Sequence, residues 1–420
     1  MSQLLNGQFM IKGLAIAVTT LMVGTTHAAK TEQQQIQELR QEVEALKSLI
    51  QQQQQVQQQQ QTQIAQVQQA KPAASASALS SLKSKSGADV SIYGFVRGDA
   101  NYIIKGADND FNSAHTSNEE ASDKLRATAK VTRLGLDFNT PVGDNKVGGK
   151  VEVDFASAAE NLRIRHAYLT LNNWLFGQTT SSFASVHAPE MIDFSTNIGG
   201  SGGTARVPQI RYSQKLAPAT ELFVSAEEGN SSATDSDVTY RAPVLTAKVT
   251  QGFADGKGLA SARALVEHYK SEAANDDKTG WGAAVGTNYQ VAEPLKVSAD
   301  VSYVKGNSNY LYGNNTAFVV DGNSIEQNET IGVQVGATYK FSPQLRSTLA
   351  YGALFADDGT DYARLNTGAN EKVQQAWINF IYSPVKPVDL GIEYINGERE
   401  TFKGQKFSDD RVGFMARYSF

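Results

Sequence analysis

The stretch NLRIRHAYLTL (161–171) holds two arginines, Arg163 and Arg165, two residues apart. In an extended chain such residues share a face and stand roughly 7 Å apart. A guanidinium stays charged and can grip a carboxylate through two parallel hydrogen bonds. The pair therefore suits the two ends of a short dicarboxylate, or one carboxylate held twice. Leu162, Ile164 and Tyr168 fall on the opposite face by strict alternation. The same parity places Arg97, Arg133, Arg263, Arg346, Arg411 and Arg417 opposite apolar rows, with Arg211 in a less regular stretch. Their other use is to neutralise Asp99, Glu152, Asp154 or Glu393 and hold a wall together. Glu190 and Asp193, in the long polar stretch 179–206, are the acids that would face such arginines across a pore; as loop charges they are equally suited to solvent.

Other chemistry is poorly supplied. The chain has no cysteine, which excludes disulfides, thiol catalysis and zinc–cysteine sites. His166 and His187 lack the spacing of metal ligands. The glycine-rich NIGGSGGTAR lacks the strand–loop–helix setting of a phosphate cradle. Asp108, Asp110, Asp357 and Asp358 do not form a twelve-residue calcium loop. No nucleophile elbow is present. Neither a catalytic residue, a metal nor a cofactor is expected, and a net charge of −5 gives no nucleic-acid footprint.

The elements that must position the arginines are strands. Leu295, Val297, Ala299, Val301 and Tyr303 alternate with polar or small residues, and so do Ile331, Val333, Val335, Ala337, Tyr339 and Phe341. The chain ends RVGFMARYSF, with Val412, Phe414, Ala416, Tyr418 and Phe420 on one face. Runs of about 9 to 13 residues suffice for a tilted strand across a bilayer. Short connections such as 172–173 and 216–219 alternate with longer polar ones, among them 105–125, 179–205, 271–279, 305–329 and 397–405. The count is about sixteen strands, an even number with short turns at one end and long loops at the other, the pattern of an outer-membrane barrel. An arginine facing lipid near the midplane costs about 2–4 kcal/mol, so the arginine faces point to the lumen.

The N-terminus is different material. Residues 1–29 read as a signal peptide: a short apolar run, GLAIAVTTLMV, before small residues at Ala28 and Ala29. Residues 30–70 carry an apolar heptad register through Ile36, Leu39, Val43, Leu46 and Ile50, weakened by glutamines, and predict an α-helical coiled coil of two or three strands; a disordered Gln-rich tract is the alternative. Residues 71–88 predict a flexible linker, and 89–420 the all-β, sixteen-stranded antiparallel transmembrane barrel.

SIYGFVRGDANY, TRLGLDF, RHAYLTL, WLFGQTTS and the terminal strand resemble segments of trimeric general porins. With the Gln-rich tract and the Ala/Ser linker, their order resembles the DcaP-like porins of Acinetobacter and relatives. The resemblance implies a homotrimer in the Gram-negative outer membrane, surrounded by its lipid, with the coiled coil in the periplasm. It also implies a long loop, about 179–206, folded into the pore, and diffusion of small anions, notably dicarboxylates. A terminal strand ending in Phe420 resembles the signal read by the barrel assembly machinery. Two other functions remain open at this point: an outer-membrane hydrolase with a Ser/His pair on the barrel surface, and an envelope tether acting through the coiled coil.

Overall fold

The computed structural model describes residues 82–157, 161–200, 206–234 and 237–420, all within one unit, Ser77–Phe420. The expected signal peptide, the coiled coil and the linker as far as residue 81 lie outside the described residues. The linker's last part is not loose: Leu82 and Lys83 pair with Val90 and Asp89.

Sixteen antiparallel strands close into a barrel among the described residues. They are β1 (Asp89–Gly106), β2 (Ala121–Thr128 and Arg133–Val142), β3 (Asn145–Asp154), β4 (Arg163–Leu171), β5 (Trp174–Thr180) and β6 (Arg206–Ala217). Then follow β7 (Thr220–Glu227), β8 (Val244–Phe253), β9 (Gly258–Ser271), β10 (Asp276–Ala292) and β11 (Leu295–Lys305). The last five are β12 (Glu329–Lys340), β13 (Leu345–Ala356), β14 (Asn370–Tyr382), β15 (Val388–Thr401) and β16 (Lys406–Ser419). Closure joins β16 to β1, from Phe95 opposite Ser419 to Lys105 opposite Asp410. Gly94 and Phe420 exchange backbone hydrogen bonds of 3.1 and 3.0 Å at the end of that seam.

Two of the expected long loops are absent. The β9–β10 and β15–β16 connections are 272–275 and 402–405 rather than 271–279 and 397–405, because both hairpins keep pairing, to Ser271 opposite Asp276 and Glu400 opposite Lys406. Beyond the membrane both faces of a strand are wet. The apolar alternation then fades while the ladder continues.

The strand faces follow parity. Val96, Val285, Val301, Val335, Leu349, Ile392, Phe414 and Tyr418 point outward and form part of an apolar belt. The exception is β4. Glu152 pairs with His166 but Val153 pairs with Ile164, so Arg165 is an extra residue, a β-bulge. A bulge resets the alternation. Ile164, Leu169 and Leu171 are exposed on the outer face, while Tyr168 pairs with the inward Lys150. Strict alternation had put Tyr168 outside with Ile164; the bulge turns it and His166 inward. A second irregularity splits β2. Its two halves pair separately with β1, and residues 129–132 leave the ladder. Thr132 bonds the backbone of Arg97 from there, at 3.1 and 3.2 Å.

The lumen is partly filled. Phe183 and Ile198 of loop 181–200 join Tyr310 and Leu311 of loop 306–328 and Ala114 of loop 107–120. All pack on the inward-facing Val244, Leu265, Ala284, Val304, Leu354 and Val373. Each large side chain so buried contributes about 1.5–3 kcal/mol. At the long-loop end, then, the inner face of β8–β14 is a protein core rather than a wet wall. Loop 181–200 lies flat because the wall beneath it is glycine. A Cβ on Gly336 would come within 2.6 Å of Pro189, one on Gly391 within 2.5 Å of Ile192, and one on Gly352 would collide with the Ile198 carbonyl oxygen.

Two outcomes follow from this packing. Phe420→Asp places a charge at the lipid interface beside the seam and is expected to lower folded protein in the membrane fraction several-fold; unchanged levels would contradict the parity of β16. Gly352→Val overpacks the loop–wall contact, a change typically costing about 1–3 kcal/mol. The barrel should still assemble, but single-channel recordings should show an altered or unstable conductance; a native conductance would mean the loop does not rest there.

Candidate pore constriction

Where loop 181–200 crosses the lumen, the remaining space is a cavity of about 810 Å³. Six cationic side chains line it: Arg97, Lys130, Arg133, Arg163, Arg165 and Arg206. Only two carboxylates, Asp110 and Asp154, do so. The cations come from β1, from the break in β2, from β4, and from the start of β6.

Most of these arginines are held by acids behind them. Arg163 clamps Asp154 through Nε and Nη2 at 2.8 and 2.7 Å. Arg165 donates from Nε to Glu152 at 2.7 Å and from Nη1 to Asp154 at 2.9 Å. Glu152 also accepts from the Tyr93 hydroxyl at 2.8 Å. Arg97 binds Asp99 and reaches the Ile192 carbonyl of the loop at 2.7 Å. Arg133 is held more loosely, 3.4 Å from Glu152, with its guanidinium 4.9 Å over the Phe95 ring. Counting the buried Asp99 and Glu152 as well, six cations still face four carboxylates. On loop 107–120, burial acts to raise the pKa of Asp110, but hydrogen bonds from Lys130 and Arg126 carry it below the ordinary carboxylate value. Asp108 pairs with Lys124 and Arg126 in the same way.

The other sequence-predicted residues lie elsewhere. Glu190 turns away from the cavity and forms a forked ion pair with Arg346, 2.8 to 3.0 Å. Asp193 is buried. It accepts the backbone N–H groups of Asn112 and Ser195 at 2.6 and 2.9 Å, and burial pushes its pKa up to about 6. Glu393, on the wall below, accepts the N–H groups of Ile192 and Asp193 at 2.9 and 2.8 Å. Arg263 is buried beside Phe183 and binds Asp300 at 2.5 Å. Arg211 stands 5.8 Å over the Phe223 ring. Arg411 is fully buried against Asp409, and Arg417 pairs with Asp389. Of the predicted residues, the structure gathers Arg97, Arg133, Arg163 and Arg165 around one cavity. Arg211, Arg263, Arg346, Glu190 and Asp193 do not line it. The loop side of the cavity is mostly apolar instead, with Val186, Ala188, Pro189, Met191 and Phe194 beside Ser185, Ser195 and Asn197.

Two lining cations were missed in the sequence. Lys130 sits in the break of β2, which no hydrophobic pattern marks. Arg206 forms the last pair of the β5–β6 ladder, with Thr180. Alternation counted back from the outward Ile210 would send it to lipid, but a residue leaving the ladder is not held by the pleat. Histidine and serine do meet: His187 Nε2 lies 2.8 Å from Ser261 Oγ. That pair is buried under the loop rather than on the outside of the barrel.

The sequence profile of the DcaP outer membrane protein family matches residues 22–420. No curated protein matches the chain. The crystal structure of the outer membrane channel DcaP of Acinetobacter baumannii is 68% identical; the match covers 81% of this chain and 100% of that one, with a TM-score of 0.79. Two other structures share the fold at low identity. The anion-selective porin from Comamonas acidovorans is 13% identical, with 79% of this chain and 100% of that one covered and a TM-score of 0.55. Outer-membrane expressed OmpT of Vibrio cholerae is 17% identical, with 81% and 99% covered and a TM-score of 0.54. With a family profile matching residues 22–420 and a 68% identical channel structure matched along its whole length, this chain belongs to the DcaP outer membrane protein family and is an outer-membrane channel, not an enzyme.

Proposed function

We propose that the channel passes small anions and that Arg133, Arg163, Arg165 and Arg206, with Arg97 and Lys130, set its preference. The supporting observation is the cavity's charge: six cations against two lining carboxylates in a chain whose net charge is −5. A field averaged over the protein would favour cations, so anion preference needs a local concentration of positive charge. A narrow passage between low-dielectric walls focuses that field. Dicarboxylates are the substrates implied by the family resemblance, and the Arg163/Arg165 pair is the element proposed to hold them. The channel is further proposed to work as a homotrimer in outer-membrane lipid, with its terminal strand ending in Phe420 recognised by the barrel assembly machinery. An OmpT structure of the same fold is described as a trimer form.

The charge proposal is tested by removing both halves of the clamp. A unit charge about 7 Å away contributes roughly 0.6 kcal/mol at the dielectric of water and roughly 2.4 kcal/mol at an effective value of 20. Arg163→Gln with Arg165→Gln removes two such charges and leaves Asp154 without its clamp. The chloride-over-potassium permeability ratio, from reversal potentials in a salt gradient, should fall about fivefold or more. Dicarboxylate flux should fall more than flux of a neutral sugar of similar size; equal slowing would make the pair structural.

Asp154→Asn probes the same field from the other side. It removes the acid and leaves both arginines, so the permeability ratio should move further towards chloride. A shift towards potassium would show that Asp154 acts by holding the arginines in place rather than by its charge.

A further inference from the structure

Loop 181–200 is inside out for a wet pore. Its polar and charged side chains turn to the wall: His187 to Ser261, Glu190 to Arg346, and Asp193 into the interior. Its side towards the open cavity carries Val186, Ala188, Met191 and Phe194; Ser185 and Asn197 also border the cavity but bond Asp300 and Gln334 of the wall, and Ser195 is buried. Val186 keeps 47% of its surface exposed there. Phe194 packs against Phe111, ring centroids 4.9 Å apart, and both line the cavity. Glu190 and Asp193 are therefore not at the passage, and the loop acid that does line it, Asp110, is paired with Arg126 and Lys130. A solute inside has guanidinium groups on one side and an apolar strip on the other.

That is the composition of a site for an organic anion rather than for a hydrated ion: a few placed polar groups against an apolar lining. From this geometry we infer that the strip is a specificity element, selecting carboxylates that carry an apolar body over compact or hydroxylated ones of equal charge. The inference rests on the anion reading of the same cavity. The carboxylate sits on Arg133, Arg163 or Arg165, and its hydrocarbon part lies against Val186, Met191 and Phe194. A hydroxylated body must give up its water to the same strip without a hydrogen bond in return. At the usual transfer value for apolar area, a short alkyl chain on the strip should gain about threefold in occupancy and a phenyl ring about tenfold.

The test uses the full chain in planar bilayers. Butyrate and glycerate, glutarate and tartrate form pairs of equal charge and similar size; benzoate is the aromatic probe. Each is scored by its concentration-dependent block of chloride current. Butyrate should bind about threefold more tightly than glycerate, glutarate more tightly than tartrate, and benzoate most tightly of the monocarboxylates. Met191→Ser with Phe194→Ser should erase the ranking and leave the chloride-over-potassium ratio unchanged. Phe194 contributes to packing, so Val186→Thr, an exposed and nearly isosteric change, is measured alongside; it should narrow the benzoate advantage about twofold. Equal block within each pair, or a ranking that survives both variants, would overturn the inference. A cation-preferring reversal potential in the unmodified channel would instead overturn the anion reading itself.

Discussion

A backbone in hydrocarbon has no water to bond, so a sheet can cross a membrane only if it has no edge. Everything else here depends on the seam where β16 meets β1. It joins the first and last strands of the barrel, from Phe95 opposite Ser419 to Lys105 opposite Asp410. Closure fixes each strand's two faces, because the side chains of a closed ladder have only lipid or lumen to face. The outward row of β16, Phe414, Ala416 and Tyr418, and its inward row, Arg411, Met415 and Arg417, are two consequences of that one constraint.

Closure leaves a lumen wider than a selective passage needs, and the loops reduce it. Loop 181–200 is fastened by carboxylates of the wall that accept its backbone N–H groups. Glu393 binds at Ile192 and Asp193, and Glu227 binds at Ser182 at 3.0 Å. Backbone groups displaced from water must be bonded somewhere, and these two carboxyl groups supply the acceptors. Glycines on the wall let the loop approach closely enough for those bonds to form. The apolar cluster around Phe183 and Leu311 then occupies the β8–β14 side, which leaves passage along the β1–β6 side, where the arginines are.

Much of this was legible in the sequence where a residue's environment repeats. Strand faces, short turns and the terminal seam all follow from period-two alternation, because one environment is oil. The sequence was silent where the period breaks. The bulge at Arg165 inverts Tyr168, and the split of β2 brings Lys130 into the cavity; neither leaves a compositional mark. The lengths of the β9–β10 and β15–β16 loops were overestimated because a strand with two wet faces looks like a loop. Glu190 and Asp193 were identifiable as loop acids, but nothing local says whether such an acid faces the pore or the wall. Their partners, Arg346 and Asn112, are distant in the chain.

The pairing of the cavity arginines with acids looks at first like a loss of the charge an anion channel needs. The geometry resolves this. Arg163 spends Nε and Nη2 on Asp154, and Arg165 spends Nε and Nη1 on Glu152 and Asp154. A guanidinium has five N–H donors in a rigid fork, so Nη1 of Arg163 and Nη2 of Arg165 stay outside those bonds. An unpaired arginine on a flexible stem would lose side-chain entropy each time it gripped a solute. A clamped one has already lost it on folding. The acids thus lower the net charge of the wall but hold its remaining donors in place, and six cations against four carboxylates still leave the balance positive.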